Sequence, residues 1–260
     1  MVPGLLAAAL ALCTIHPLPL DSELGRRSIP WLPPDLARQV VRHERDFNRG
    51  AAAAAAWPAA LHRPSHSRQG LQTAIHLQCE RLVKALHDRE PFSEVVAGLG
   101  SLAHLVLDLG SPFASMSSAG SHVPAFGTYM ETAEPRIPQV FYGQWHQMIV
   151  GGTQGVDRLV AWRLAQNASL GPIVVADMDK VGGPAAWRRL DDRSSSFGAA
   201  SLVLNHAVSD FANLASWVWY HGGGLVPEIS SAPGTLLVWR GEPQPREAPR
   251  TRLGFRQSGP

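Results

Sequence analysis

Apolar residues recur at helical spacing along most of the chain and predict a succession of amphipathic helices. A first helix should begin at Pro34 and Asp35, because proline suits the first helical turn and an acid suits its positive end. The alanine run 51–56 is a strong helix former and should extend this helix to Trp57 and Pro58. The same spacing predicts further helices over roughly 69–88, 93–109, 138–150 and 154–166.

The last helix should be long, because serines at 194–196 can cap its start and glycines at 222–224 can end it. Between the helices, 115–137 is rich in serine, glycine and proline and reads as a long loop, and 172–184 carries further breakers. Alternating strands and internal repeats are absent from the pattern. The sequence therefore predicts an all-α, multi-helix bundle.

The two ends differ in composition from this helical region. Residues 225–260 are rich in proline, arginine, glutamate and glycine, apart from an apolar patch at 236–239, and a mostly disordered tail is expected. Residues 1–20 include an apolar stretch, Leu5–Cys13, of signal-peptide length but with no Lys or Arg before it. A cleaved signal and a short buried helix stay open there, and a single helical domain is expected over 21–224.

Composition narrows the function classes. At 45% hydrophobic residues the chain can bury a sizeable core, and its net charge of +2 comes without a basic run interleaved with aromatics, so no nucleic-acid partner is expected. Two cysteines cannot form a disulfide framework. No segment after the N-terminal one reads as long enough to span a bilayer, so a soluble or peripheral protein is expected.

The most informative stretch is 99–114, where His104 and Asp108 lie four residues apart in an otherwise apolar helix. This spacing places both side chains on one helix face, where an imidazole and a carboxylate can share a metal ion. A buried hydrogen-bonded pair that links two helices is the alternative. His206 and Asp210 repeat the spacing in the last helix, which warns that it can arise by chance among eleven histidines.

The neighbourhood of this pair adds two expectations. Gly100, one turn earlier, should let another helix approach closely. His62 and His66 lie in a short polar segment before the preceding helix, and His122 lies in the loop that follows, so any of them could converge on His104.

The pattern from Leu99 and Gly100 through His104 and Asp108 to Pro112 resembles the zinc-dependent phospholipase C family, which shares an all-helical fold with zinc nucleases specific for single strands. The resemblance extends over about residues 30–224. It implies a fold of this kind and zinc ligation by His104 and Asp108.

The remaining ligands of that family match only in part. The family binds three zinc ions, and the resemblance implies His66, with His62 as the alternative, for a loop ligand and His16 for an early one. No aspartate occurs in 51–56, Ala114 stands where a histidine is expected, and Glu131 lacks its companion histidine. Fewer than three zinc ions are therefore expected.

Two hypotheses follow from the resemblance. The first is a zinc-dependent hydrolase acting on phospholipids or other phosphodiesters, with peripheral membrane contact and a reduced metal site. The second is a non-catalytic member of the same fold that serves as a binding or scaffold protein. The protein would be secreted or periplasmic if the N-terminal segment is a signal, and cytoplasmic otherwise.

Overall fold

The computed structural model describes residues 19–63, 66–114, 116, 119–227 and 237–239. The helices are α1 (Pro19–Ser28), α2 (Pro34–Arg42), α3 (Glu44–Ala55), α4 (Ala59–His62), α5 (Arg68–His87), α6 (Phe92–Leu109), α7 (His122–Ala133), α8 (His146–Val150), α9 (Thr153–Asn167), α10 (Leu170–Lys180) and α11 (Ser195–His221). Two short strands, β1 (Gln139–Phe141) and β2 (Leu237–Trp239), pair antiparallel. The predicted all-α class is confirmed.

Helix α6 lies at the centre and packs against α1, α3, α5 and α11. Its length and apolar composition would allow it to cross a membrane, contrary to the expectation that no such segment follows the N-terminus. In the fold, 67% of that helix is buried inside the protein, as suits the core helix of a bundle. Because α6 is central, His104 is buried in the interior among the apolar residues of this helix.

Helices α3 and α6 cross at two glycines. A Cβ at Gly100 would lie 1.9 Å from the carbonyl oxygen of Phe47, and one at Gly50 would lie 1.7 Å from that of Ala97. No side chain fits at such distances, so the absence of a Cβ at both positions is what lets the backbones approach. The expectation that Gly100 admits a neighbouring helix is confirmed.

The first predicted helix is in fact two. His43 leaves helical geometry with φ −114° and ψ 33°, and its carbonyl accepts hydrogen bonds from the amides of Asp46 and Phe47 to start α3. Helix α1 begins at Pro19, inside the segment 1–20 where a cleaved signal and a short buried helix are both open, and Leu20 is part of the core. Residues 1–18 lie outside the described residues.

Two predicted breaks are helices. The expected loop at 115–137 contains α7, and the expected interruption at 172–184 contains most of α10. In each helix the proline, Pro124 or Pro172, is the third residue, where it removes only an amide that the first turn leaves unpaired. Glycines at 182 and 183, with φ of 112° and 89°, end the turn after α10.

The predicted helix 138–150 is a strand followed by the short α8. Three polar residues spaced four apart on α11 satisfy its backbone: the amides of Val140, Tyr142 and Trp145 donate to Asn205, Ser209 and Asn213 at 2.7–2.9 Å. These bonds hold the segment extended, which apolar spacing alone could not show. Helix α11 begins as predicted, with the Ser194 hydroxyl accepting from the amide of Phe197.

The predicted disordered tail falls mostly outside the described residues. Residues 237–239 are described, and they form β2 with Gln139 paired to Trp239. That part of the apolar patch at 236–239 therefore belongs to the fold, because pairing with β1 satisfies its backbone groups.

Candidate metal centre

His104 and Asp108 share one face of α6, one turn apart. The Nε2 atom of His104 lies 3.4 Å from Oδ2 of Asp108. His104 is 5% exposed, whereas the side chain of Asp108 is 23% exposed. The imidazole is thus an interior group, and the carboxylate connects it to the surface.

His62 brings a third side chain to the pair. It is the last residue of α4, it is buried, and its Nδ1 atom lies 2.5 Å from Oδ2 of Asp108. The ring centroids of His62 and His104 are 5.3 Å apart. One ligand atom from each of the three residues lies within 4.8 Å of the others, and no second such group occurs among the described residues. We call His62, His104 and Asp108 the triad.

In each triad imidazole, the ring nitrogen that faces away from Asp108 lies next to a hydrogen-bond acceptor. Nδ1 of His104 lies 3.3 Å from Oδ1 of Asp21, which is fully buried on α1, and Nε2 of His62 lies 3.0 Å from the carbonyl oxygen of Trp57. A carboxylate or a carbonyl behind a metal-binding histidine fixes its tautomer and ring orientation. Both rings are therefore set to turn their other nitrogen towards Asp108.

The oxygen acceptors around the two triad imidazoles outnumber the N–H protons that neutral imidazoles can donate. A neutral imidazole carries one N–H, yet His62 contacts an acceptor oxygen at both ring nitrogens, and His104 has Asp21 at one nitrogen and Asp108 3.4 Å from the other. Only an additional proton or a metal cation can satisfy these contacts. In the structure, Nε2 of His104 is buried without a hydrogen-bond partner. A cation beside this atom would meet the requirement.

The electrostatics of His104 agree with a site that favours positive charge. Burial has the largest single effect on the pKa of His104 and lowers it. The hydrogen bond to Asp21 and the charges of Asp108 and Asp21 together outweigh burial, so the pKa is raised above its ordinary value. The exposed Arg63, next to His62 in the chain, acts against them.

The other predicted ligands are not part of the triad. His66 is exposed in the turn before α5, whereas His62, on the short helix α4, is buried and lies beside His104 and Asp108. His16 lies outside the described residues. His122 begins α7, and its Nε2 atom lies 3.0 Å from Asp179. The pKa of Glu131 is raised, first by burial of its carboxyl group and second by the charge of the nearby Asp21.

Asp21 is the residue that the sequence did not reveal. It occupies the first turn of α1, where an acidic residue is common because it interacts favourably with the helix dipole. Its position therefore does not indicate a functional role. Its 83-residue separation from His104 hides the contact. The order Pro19-Leu20-Asp21 does signal a helix start, but nothing in it points to an imidazole.

The second His-x-x-x-Asp pair has a different partner. Asp210 is bound by the guanidinium of Arg163 through two hydrogen bonds of 2.5 and 2.8 Å, and both residues are buried. Burial, followed by the charge of Arg163, lowers the pKa of His206 to about 3. The arginine supplies the cation here, so this pair has no need of a metal.

A cavity of about 150 Å³ adjoins the triad. Asp21, His104, Asp108 and Ser111 provide its polar wall. The rest is mostly apolar and comes from α1, α6, α7, α11 and the segment after α6: Leu20, Leu107, Pro112, Phe113, Val123, Phe126, Met130 and Val203. The triad thus has both a solvent-facing carboxylate and an apolar recess.

Comparison with solved structures shows a related fold. The chain is similar to the alpha-toxin of Clostridium perfringens, from a crystal structure of the toxin isolated from avian strain SWCP, with a TM-score of 0.60 and 11% sequence identity. The match covers 81% of this chain and 66% of the toxin chain, just under two thirds of it. At this identity the likeness concerns the fold alone. The sequence matches no protein-family profile and no curated protein.

Proposed function

We propose that this protein is a metal-dependent phosphodiester hydrolase with a single zinc site formed by His62, His104 and Asp108. The convergence of three ligand-type side chains around the unpartnered Nε2 of His104 carries the proposal. The resemblance of 99–112 to zinc-dependent phospholipase C, and the helical fold shared with alpha-toxin, support the reaction class. Phospholipids or other phosphodiesters are the proposed substrates.

The donor set fits zinc. Two histidines and a carboxylate with one open position are a known catalytic zinc arrangement, and ligands at zinc-bond length stand about 3.3 Å apart in a tetrahedron. Nε2 of His104 and Oδ2 of Asp108 already have a comparable separation of 3.4 Å. Nδ1 of His62 is 2.5 Å from the same oxygen, so this pair would have to open slightly.

The residues of the chain prepare the site in three ways. Asp21 and the Trp57 carbonyl orient the two imidazoles, and Asp108 leaves an edge open to solvent from which a phosphodiester can approach. The apolar surroundings of His104 lower the local dielectric and strengthen charge interactions there. When bound, zinc would supply a Lewis acid that activates water and polarises the phosphoryl group.

The second candidate function is that of a non-catalytic protein with the same helical fold. The 2.5 Å contact between His62 and Asp108 closes the triad without a metal, as a structural hydrogen bond would. Ala114 and the region before Glu131 also lack the further ligands that the family resemblance implies. In that case the protein would act as a binding or scaffold protein.

Metal analysis of purified variants separates the two functions. Zinc should be present in the parent protein, absent from His104→Ala and His62→Ala, and retained in His66→Ala, the matched control four residues from His62. The parent should hydrolyse bis(4-nitrophenyl) phosphate, and a chelator should stop it. Zinc without hydrolysis would favour the binding protein, and no zinc in the parent would remove the hydrolase.

Zinc affinity should also decrease as the pH falls, because a histidine must lose its proton to bind a metal. A titration at pH 7.5 and at pH 5.5 checks this. Equal affinities would argue against histidine ligation.

A further inference from the structure

The cavity beside the triad has the size and lining of a binding site for a small apolar group. Its volume is about 150 Å³, and eight of the side chains that line it are aliphatic, aromatic or thioether groups without an ionisable atom, including Phe113, Phe126 and Met130. An apolar protein cavity of about 150 Å³ is large enough to bind benzene. The volume of this cavity therefore suits a group of that size.

The position of the cavity relates this group to the reacting ester. His104 and Asp108 lie on its wall, so a phosphodiester held at the triad would direct one substituent into the cavity and the other towards solvent along the exposed edge of Asp108. The recess has too little room for a nucleobase together with its sugar, or for a long acyl chain. Its walls favour a compact aryl or short branched alkyl group.

One residue in the cavity wall is a glycine with open space beside it. Gly127 lies inside α7 and lines the cavity, and a Cβ built on it meets no atom within 4 Å. Its backbone is ordinary right-handed helix, so a side chain is permitted there without strain. A larger residue at this position would occupy the space that the ligand needs.

We propose that this cavity is a specificity pocket that binds a compact, benzene-sized apolar substituent of the substrate, and that Gly127 keeps it accessible. The assignment to a substrate rests on the proposed hydrolase function. The binding of an apolar group by the cavity does not, since it needs neither metal nor reaction.

Fluorobenzene tests the cavity itself. Added to the metal-free protein and followed by fluorine NMR, it should bind the parent and fail to bind Gly127→Leu. Gly198→Leu is the matched control, because Gly198 is also a helical glycine whose Cβ would meet nothing within 4 Å, but it does not line the cavity. Equal binding by all three proteins, or none by the parent, would overturn the proposal.

Gly127→Ala is a second test variant, needed in case Gly127→Leu does not fold. Alanine is more favourable than glycine within a helix, so this variant should fold at least as well as the parent. One methyl group removes only part of the cavity, so fluorobenzene affinity should fall by a smaller factor than in the leucine variant. Unchanged affinity in both folded variants would place the ligand elsewhere.

Two diesters test the role in specificity. Phenyl 4-nitrophenyl phosphate should exceed methyl 4-nitrophenyl phosphate in kcat/KM by about 10- to 100-fold with the zinc-loaded parent, the factor expected from burying one phenyl group. Gly127→Leu should abolish this preference, and Gly198→Leu should keep it. An identical preference in all three would overturn the assignment to substrate.

The fluorobenzene experiment and the diester experiment together distinguish failure of the proposed pocket from failure of the proposed hydrolase function. Fluorobenzene binding that depends on Gly127, in a protein that hydrolyses neither diester, would refute the hydrolase and leave an apolar-ligand pocket. Zinc-dependent hydrolysis without Gly127-dependent binding would leave the hydrolase and refute the pocket.

Discussion

Nδ1 of His104 donates a hydrogen bond to the carboxylate of Asp21 across 3.3 Å, and this contact joins α6 to the first turn of α1. It leaves Nε2 as the nitrogen that faces Asp108. Asp21 thereby decides which atom of His104 is available to a metal, although it is not itself one of the triad.

We expect Asp21→Asn to weaken zinc binding by about 10- to 100-fold, the usual effect of losing a carboxylate behind a metal-binding histidine. The amide keeps the size of the side chain but removes its charge. Affinity is measured by competition with a zinc-binding dye. Asp35→Asn, at an exposed acid in the first turn of α2, is the control and should bind like the parent. Equal affinity in the two variants would show that Asp21 does not orient His104.

Gly100→Ala should destabilise the protein by about 1–3 kcal/mol or more, because its methyl group would fall 1.9 Å from the Phe47 carbonyl and force α3 away from α6. Urea unfolding gives the change from the midpoint and slope. Gly127→Ala, at a helical glycine with open space, should be neutral or stabilising. Similar midpoints for both variants would mean that the crossing tolerates a Cβ.

Asp210→Asn should cost about 3–5 kcal/mol of unfolding free energy, because it leaves the buried Arg163 guanidinium without its countercharge. Asp192→Asn breaks the exposed pair with Arg136 and should cost about 0–1 kcal/mol. Both values come from urea unfolding at neutral pH. A small effect at Asp210 would indicate that Arg163 finds another partner or reaches water.

Stability should decrease as the pH falls from about 6.5 towards 3, with His206 as one cause. Burial and Arg163 lower its pKa from 6.5 to about 3 in the folded protein. Between these values the unfolded chain takes up a proton that the folded protein excludes, so acid favours unfolding. His206→Leu should make the pH dependence less steep, whereas the same change at the exposed His146 should not. Parallel curves for the parent and His206→Leu would contradict this origin.

The sequence by itself determined the features that depend on local spacing. The helices near 69–88, 93–109 and 154–166, the Ser194 cap, and the shared face of His104 and Asp108 all follow from contacts within a few residues. The pattern predicts breaks where α7 and α10 lie, because a proline can either start or break a helix and local spacing does not distinguish the two.

Only the tertiary structure decided which groups meet. Asp108 and Asp210 each follow a histidine by four residues, yet one faces His62 and the other Arg163, 46 and 47 residues away in the chain. Asp21 reaches His104, and α11 holds the strand at 139–141, through contacts of the same long-range kind. Helical periodicity encodes the direction of a side chain on its own helix, whereas its partner depends on how separate helices pack.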